Sequence, residues 1–222
     1  MNYKMVGFVL GRIFLIEAAL MLFPMGCAAI YGEWASIPAF LIPVLILLVL
    51  GLAASLKSPK DTKIYARDGL AIVALVWVLL SVFGALPFII TGEIPSFVDA
   101  FFEMVSGFTT TGSTILTDVE SLSHGILFWR SFSHWIGGMG ILVFMLAIVR
   151  MDGGQAIHLL RAESPGPTVS KMVPRMVDSS KILYGIYFGL TVVQIILYLA
   201  GGDPLFDSLC NAFGTAGTGG FA

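Results

Sequence analysis

The sequence predicts an all-α membrane protein built from helix–loop–helix repeats, the second of them incomplete, with a two-helix hairpin in front. Three observations carry this. The 222-residue chain is 57% apolar and 12% charged, with a mean hydropathy of +0.93, whereas a soluble domain carries about 25% charge. Five stretches are long and apolar enough to cross a bilayer. Two shorter apolar segments stand among them, each followed by a loop rich in glycine and hydroxyl side chains, and they resemble one another.

The five spans are Phe8–Tyr31, Ile37–Ser55, Gly69–Thr91, Ile126–Val149 and Ile182–Leu199. Lys4 precedes the first run, but the run is long enough to span and Glu17 interrupts it, so it reads as a retained helix and not a cleaved leader. Arg12 and Glu17 lie within that helix as a structural pair, a contact with another helix, or an ion site, and Pro24 should kink it. Charge orients the set. Lys57, Lys60, Lys63 and Arg67 fill one loop against Asp61 alone, and Arg150, Arg161, Lys171, Arg175 and Lys181 fill another. The opposite loops carry Glu33, Glu93, Asp99, Asp118, Glu120 and Asp203. The positive-inside rule then places the amino terminus in the cytoplasm and both short segments on the outer side. The expected organisation is a hairpin at 1–56, a first repeat at 57–150, a cytoplasmic linker at 151–180, and a second repeat at 181–222 that stops after its loop.

The two short segments are Val98–Gly107 and Asp207–Gly214. Ten helical residues rise about 15 Å, half the hydrocarbon thickness. Irregular backbone at membrane depth survives only where it is buried in protein or lines a water- or ion-filled path, so the loop Val105–Thr114 reads as a re-entrant ion-selectivity loop. Gly92–Asp99 is echoed by Gly202–Asp207, and aligning Gly107 with Gly214 lays Thr111-Gly112-Ser113 over Thr218-Gly219-Gly220. Glycine and threonine after a helix end are ordinarily a cap and turn; their recurrence after two half-helices favours the pore-loop reading.

Asp99-Ala100-Phe101-Phe102-Glu103, Gly107-Phe108-Thr109-Thr110-Thr111-Gly112, Phe128-Trp129-Arg130, Trp135-Ile136-Gly137-Gly138-Met139-Gly140, Arg161-Ala162-Glu163-Ser164-Pro165-Gly166-Pro167 and Gly219-Gly220-Phe221 together resemble the TrkH-type potassium-uptake subunits of the Trk, Ktr and plant HKT superfamily. The resemblance runs through essentially the whole chain, and the leading hairpin points to the TrkH branch. It implies about four potassium-channel-like repeats around one pore, of which this chain holds one and part of a second. It also implies potassium uptake across the bacterial inner membrane, a homodimer in the full-length protein, and a TrkA-like nucleotide-binding regulatory ring docked on the cytoplasmic surface. In the plant branch, serine at the position of Gly112 accompanies sodium preference; Gly112 here implies potassium.

The residues suit that chemistry. Backbone carbonyls of Thr110, Thr111 and Gly112, and of Gly217, Thr218 and Gly219, would replace the ion's water shell, with Thr109, Ser113 and Gly220 supporting the loops. Glycine reaches backbone angles that other residues adopt only with strain. The carboxyl ends of the half-helices favour a cation, and Asp118 and Glu120 outside would concentrate one. Gly137, Gly138 and Gly140 serve either as a hinge or as close helix packing. Arg130 and His134, four residues apart, either hydrogen-bond the back of the pore loop or anchor the interface with Trp129 and Trp135. Cys27 and Cys210 read as small buried residues. No catalytic constellation, phosphate-binding glycine loop, nucleic-acid footprint or cofactor motif is legible, and potassium is the only metal implied. Two alternatives remain open at this point: a small channel completed by homodimerisation, and a membrane enzyme or scaffold with re-entrant loops and no permeation.

Overall fold

The computed structural model describes residues 1–56, 59, 65–140 and 173–221. Among them every regular element is helical: α1 Tyr3–Leu20, α2 Leu22–Ile30, α3 Ile37–Ser55, α4 Ala66–Thr91, α5 Phe97–Phe108, α6 His124–Met139, α7 Val173–Gly201 and α8 Leu205–Ala216, with a short 3-10 turn at Trp34–Ser36. Among the described residues four stretches are long and apolar enough to cross a membrane: Tyr3–Ile30, Trp34–Ser55, Arg67–Thr91 and Ile182–Gly201.

The first span is two helices, because Pro24 has no N–H to return to the Leu20 carbonyl. The helix breaks at Met21, whose amide turns back to Glu17 and Ala19. Behind the break α1 packs tightly on α3. Gly11 faces Gly51, and a Cβ at Gly51 would stand 2.9 Å from the Gly11 carbonyl oxygen. Small residues at this crossing let the backbones close on one another. Of the arrangements expected for Arg12 and Glu17, a pair between them does not form among the described residues. Arg12 is exposed, its guanidinium 5.3 Å from the Phe8 ring centre, while Glu17 is buried with no hydrogen-bond partner for its carboxyl among the described residues. Five residues along a helix put the two side chains on different faces.

The short elements begin and end on local signals. Gly92, at φ 79°, closes α4, and the Ser96 hydroxyl opens α5 by accepting the Asp99 amide. The fourth predicted span appears as α6, which starts two residues earlier than expected and closes at Gly140, φ 70°; residues 141–149 lie outside the described residues. So do Lys57, Lys60, Asp61, Lys63, Arg150, Arg161, Lys171 and the Arg161–Pro167 motif, and with them the expected limits at 57 and 151.

The core joins the hairpin to the first repeat. Met104, Phe108 and Trp129 close on Gly84, and the Trp129 indole donates to the Gly84 carbonyl at 2.9 Å. Between helices in a bilayer the hydrophobic effect gives no drive, so this contact is held by van der Waals fit against the glycine and by the indole hydrogen bond. On the other flank, Tyr187 donates to the Trp135 carbonyl (3.1 Å), and the Trp135 indole donates to the Thr191 hydroxyl (3.0 Å). These bonds hold α7 against α6, although the α7 span is only 6% buried. The α6 helix thus stands at the centre, with α5 on one side and α8 on the other.

Candidate functional site

Each half-helix has twelve residues, about 18 Å of rise. Both are followed by backbone of one kind. Thr110 and Thr218 adopt the left-handed conformation (φ 54° and 66°), as do Gly112 and Gly220 (φ 74° and 62°). The Thr110 amide returns to the Gly107 carbonyl and the Thr218 amide to that of Thr215. Likewise Gly112 returns to Ser106, and Gly220 to Gly214. All these pairs are 108 residues apart, as are the limits of the two helices.

This corrects the alignment drawn from the sequence, which set Gly107 on Gly214 and so ran one residue out of register. In the folded chain Thr110, Thr111 and Gly112 correspond to Thr218, Gly219 and Gly220. Gly217 corresponds to Thr109 and continues the helix cap, its amide bonded to the Phe213 carbonyl. The signal was present at the other end of each half-helix: Asp99 and Asp207 are each the third helical residue.

The amides of Thr110, Thr111, Gly112, Thr218 and Gly220 return to the helix ends, whereas the loop carbonyls are left over. Among the described residues, the carbonyl oxygens of Thr110, Thr111, Gly112, Thr218, Gly219 and Gly220 accept no hydrogen bond. The threonine hydroxyls brace the loop instead. Thr109 donates to the Val105 carbonyl at 2.7 Å and lies 2.8 Å from the Thr111 hydroxyl. The two loops touch: a Cβ on Gly112 would run into the Gly219 carbonyl, whose carbon would be 3.0 Å away.

Glycines of α6 make room for this arrangement. A Cβ at Gly137 would overlap the Phe108 carbonyl, and one at Gly138 would stand 2.6 Å from the Tyr187 hydroxyl and 2.9 Å from the Gly217 Cα. These two positions are packing contacts, and Gly140 is the helix stop. His134 is fully buried and fills the space behind the second loop. Its ring lies against Gly217 and Gly219 and stacks on Phe221 with centroids 5.3 Å apart, and neither ring nitrogen has a hydrogen-bond partner among the described residues.

Arg130 does bond the back of the loops. Its Nε donates to Glu103 Oε1 at 2.7 Å, with both side chains buried. Glu103 also accepts from the Thr114 hydroxyl (2.7 Å) and the Ile115 amide (3.2 Å). Glu103 was legible only as part of the half-helix motif, because its value lies in a contact with α6 made across 27 residues.

Acids collect around one cavity. Asp118, Glu120, Asp203 and Asp207 line a cavity of about 510 Å³ with Ser131 and Asn211. Glu33 and Glu93 instead cap α6. Glu33 accepts from the amides of His124 (2.7 Å) and Gly125 (3.0 Å) and meets the His124 ring at 2.9 Å, while Glu93 accepts from the Ser123 amide and hydroxyl. Partial burial pushes the Glu33 carboxyl up, but the two amides and the ring outweigh it and hold it below the usual carboxylate range.

Several known proteins resemble this chain. The TrkH family model, described as a cation transport protein, matches residues 36–222. The chain is 38% identical over its whole length to the Trk system potassium uptake protein TrkH of Escherichia coli, covering 46% of that protein, and 35% identical to TrkH of Vibrio parahaemolyticus, again covering 46%. It therefore spans about half the length of these curated relatives. The crystal structure of the potassium transporter TrkH from Vibrio parahaemolyticus superposes with a TM-score of 0.78 at 31% identity, over 96% of this chain and 42% of that one. These relatives are named as transporters, not enzymes. A match across most of the chain, in sequence and in fold, settles the family: the chain belongs to the TrkH cation transport proteins.

Proposed function

We propose that this chain supplies two of about four filter loops of a potassium-uptake path across the bacterial inner membrane. The observation that carries this is the set of carbonyls at Thr110, Thr111, Gly112, Thr218, Gly219 and Gly220 that have no hydrogen-bond partner among the described residues, on two loops of matching backbone. A carbonyl at membrane depth needs a partner, and a dehydrated potassium ion is one. Thr109 and Ser113 support the first loop, and Gly217 supports the second. The outer carboxylates raise the cation concentration at the entrance. The amino terminus is cytoplasmic, and the full-length protein is a homodimer regulated by a TrkA-like nucleotide-binding ring. The potassium uptake activity named for the relatives supports the reading.

The test is rubidium uptake into proteoliposomes. A full-length protein carrying this chain should take up rubidium, with potassium competing and sodium not, while the 222-residue polypeptide alone should take up none. Equal uptake by the polypeptide alone, or none by the full-length protein, would overturn the proposal.

A further inference from the structure

Both loops are tied down one residue beyond their left-handed glycine, by different means. In the first, the Ser106 hydroxyl of α5 donates to the Ser113 carbonyl at 2.5 Å. In the second, the equivalent carbonyl belongs to Phe221, and Arg130 Nη1 reaches it from α6 at 3.5 Å while the guanidinium carbon lies 3.6 Å from the Phe221 ring centre. The register explains the difference. Gly214 stands where the first repeat has Ser106, so α8 offers no hydroxyl for the bond. Asn211 stands where the first repeat has Glu103, so α8 offers no carboxylate either.

Resting on the filter reading above, we propose that the buried Glu103–Arg130 pair is a strap shared by both loops. Arg130 is then a positioning residue that sets the spacing of the second loop's carbonyls against the first, and so the preference for potassium. Glu103 fixes the exit of the first loop at Thr114 and Ile115 and orients the guanidinium. The planar guanidinium then has a second edge for the Phe221 carbonyl and a face for its ring. Lysine, a point charge on a flexible stem, could pair with Glu103 but could not do all three.

The experiment compares Arg130→Lys, Phe221→Leu and Gly112→Ser in a full-length protein carrying this chain, by rubidium uptake against sodium competition in proteoliposomes. Folded yield and thermal midpoint in detergent are measured beside it. Phe221→Leu leaves the buried ion pair intact, so it reports on the strap where Arg130→Lys fails to fold. The expected result is folded protein whose potassium preference falls on the order of tenfold in Arg130→Lys and Phe221→Leu, equivalent to about 1.4 kcal/mol. Wild-type preference in whichever of the two folds, with Gly112→Ser impaired, overturns the strap and leaves the filter reading standing. Wild-type preference in all three overturns the filter reading itself. Loss of folded protein in both strap variants, with Gly112→Ser folded, makes the pair a stability element and also overturns the proposal.

Discussion

Replacing Gly112 by alanine tests the two-loop site most directly, because the structure says which atom does the damage. Gly112 sits at φ 74°, where a residue with a Cβ costs roughly 1–2 kcal/mol more than glycine. The added Cβ would overlap the Gly219 carbonyl oxygen and lie 3.0 Å from its carbon and 3.4 Å from its Cα. The overlapping oxygen is nearer than that carbon and sets the movement, so the loops must part by about 1 Å. Overpacking of this kind costs about 1–3 kcal/mol. Parting of that size moves the Gly219 carbonyl away from an ion held by the first loop, and potassium preference should fall on the order of tenfold, equivalent to about 1.4 kcal/mol. The cause is the Cβ, so Gly112→Ala and Gly112→Ser should be equally impaired, whatever the serine hydroxyl offers an ion. The assay is rubidium uptake by a full-length protein carrying this chain, with sodium as competitor. An alanine variant with wild-type preference, or one clearly better than serine, would refute the argument.

Three further outcomes follow from the packing behind the loops. Gly137→Ala drives a Cβ into the Phe108 carbonyl and should cost about 1–3 kcal/mol of stability, read as a lower thermal midpoint in detergent; an unchanged midpoint would remove the close-packing role given to Gly137. His134→Phe keeps the ring that stacks on Phe221 and removes two buried nitrogens that have no partner among the described residues, so it should be better tolerated than His134→Ala, and the reverse order would show that a ring nitrogen is bonded. Glu33 has its carboxyl held below the usual range, so its ionised form stabilises the fold. That contribution is complete above the unfolded value of about 4.3 and is lost as pH falls through the lower folded value. The thermal midpoint should therefore decline below about pH 4.3 in the parent and decline less in Glu33→Gln; identical acid profiles would dismiss the cap.

Length and hydropathy alone determined the membrane class, the hairpin and the presence of two half-helices, because spanning a bilayer fixes how many apolar residues a helix needs. The bounds of α3 were legible to the residue, Ile37–Ser55, since Pro and Ser punctuate a strongly apolar run. Pro24 marked the break in the first span for the same local reason, a missing N–H. The loops were legible as loops through their glycines and threonines. Their register was not. A one-residue shift still lays Gly112 on a glycine, and only the left-handed positions and the bonds closing each helix decide that Gly112 answers to Gly220. Sequence also could not separate hinge from packing at Gly137 and Gly138, since that depends on which backbone lies opposite. Nor could it join Glu103 to Arg130 and Phe221, which are brought together by α6 standing between the two half-helices. Local chemistry wrote the elements; contact between distant parts of the chain decided which of their atoms face one another.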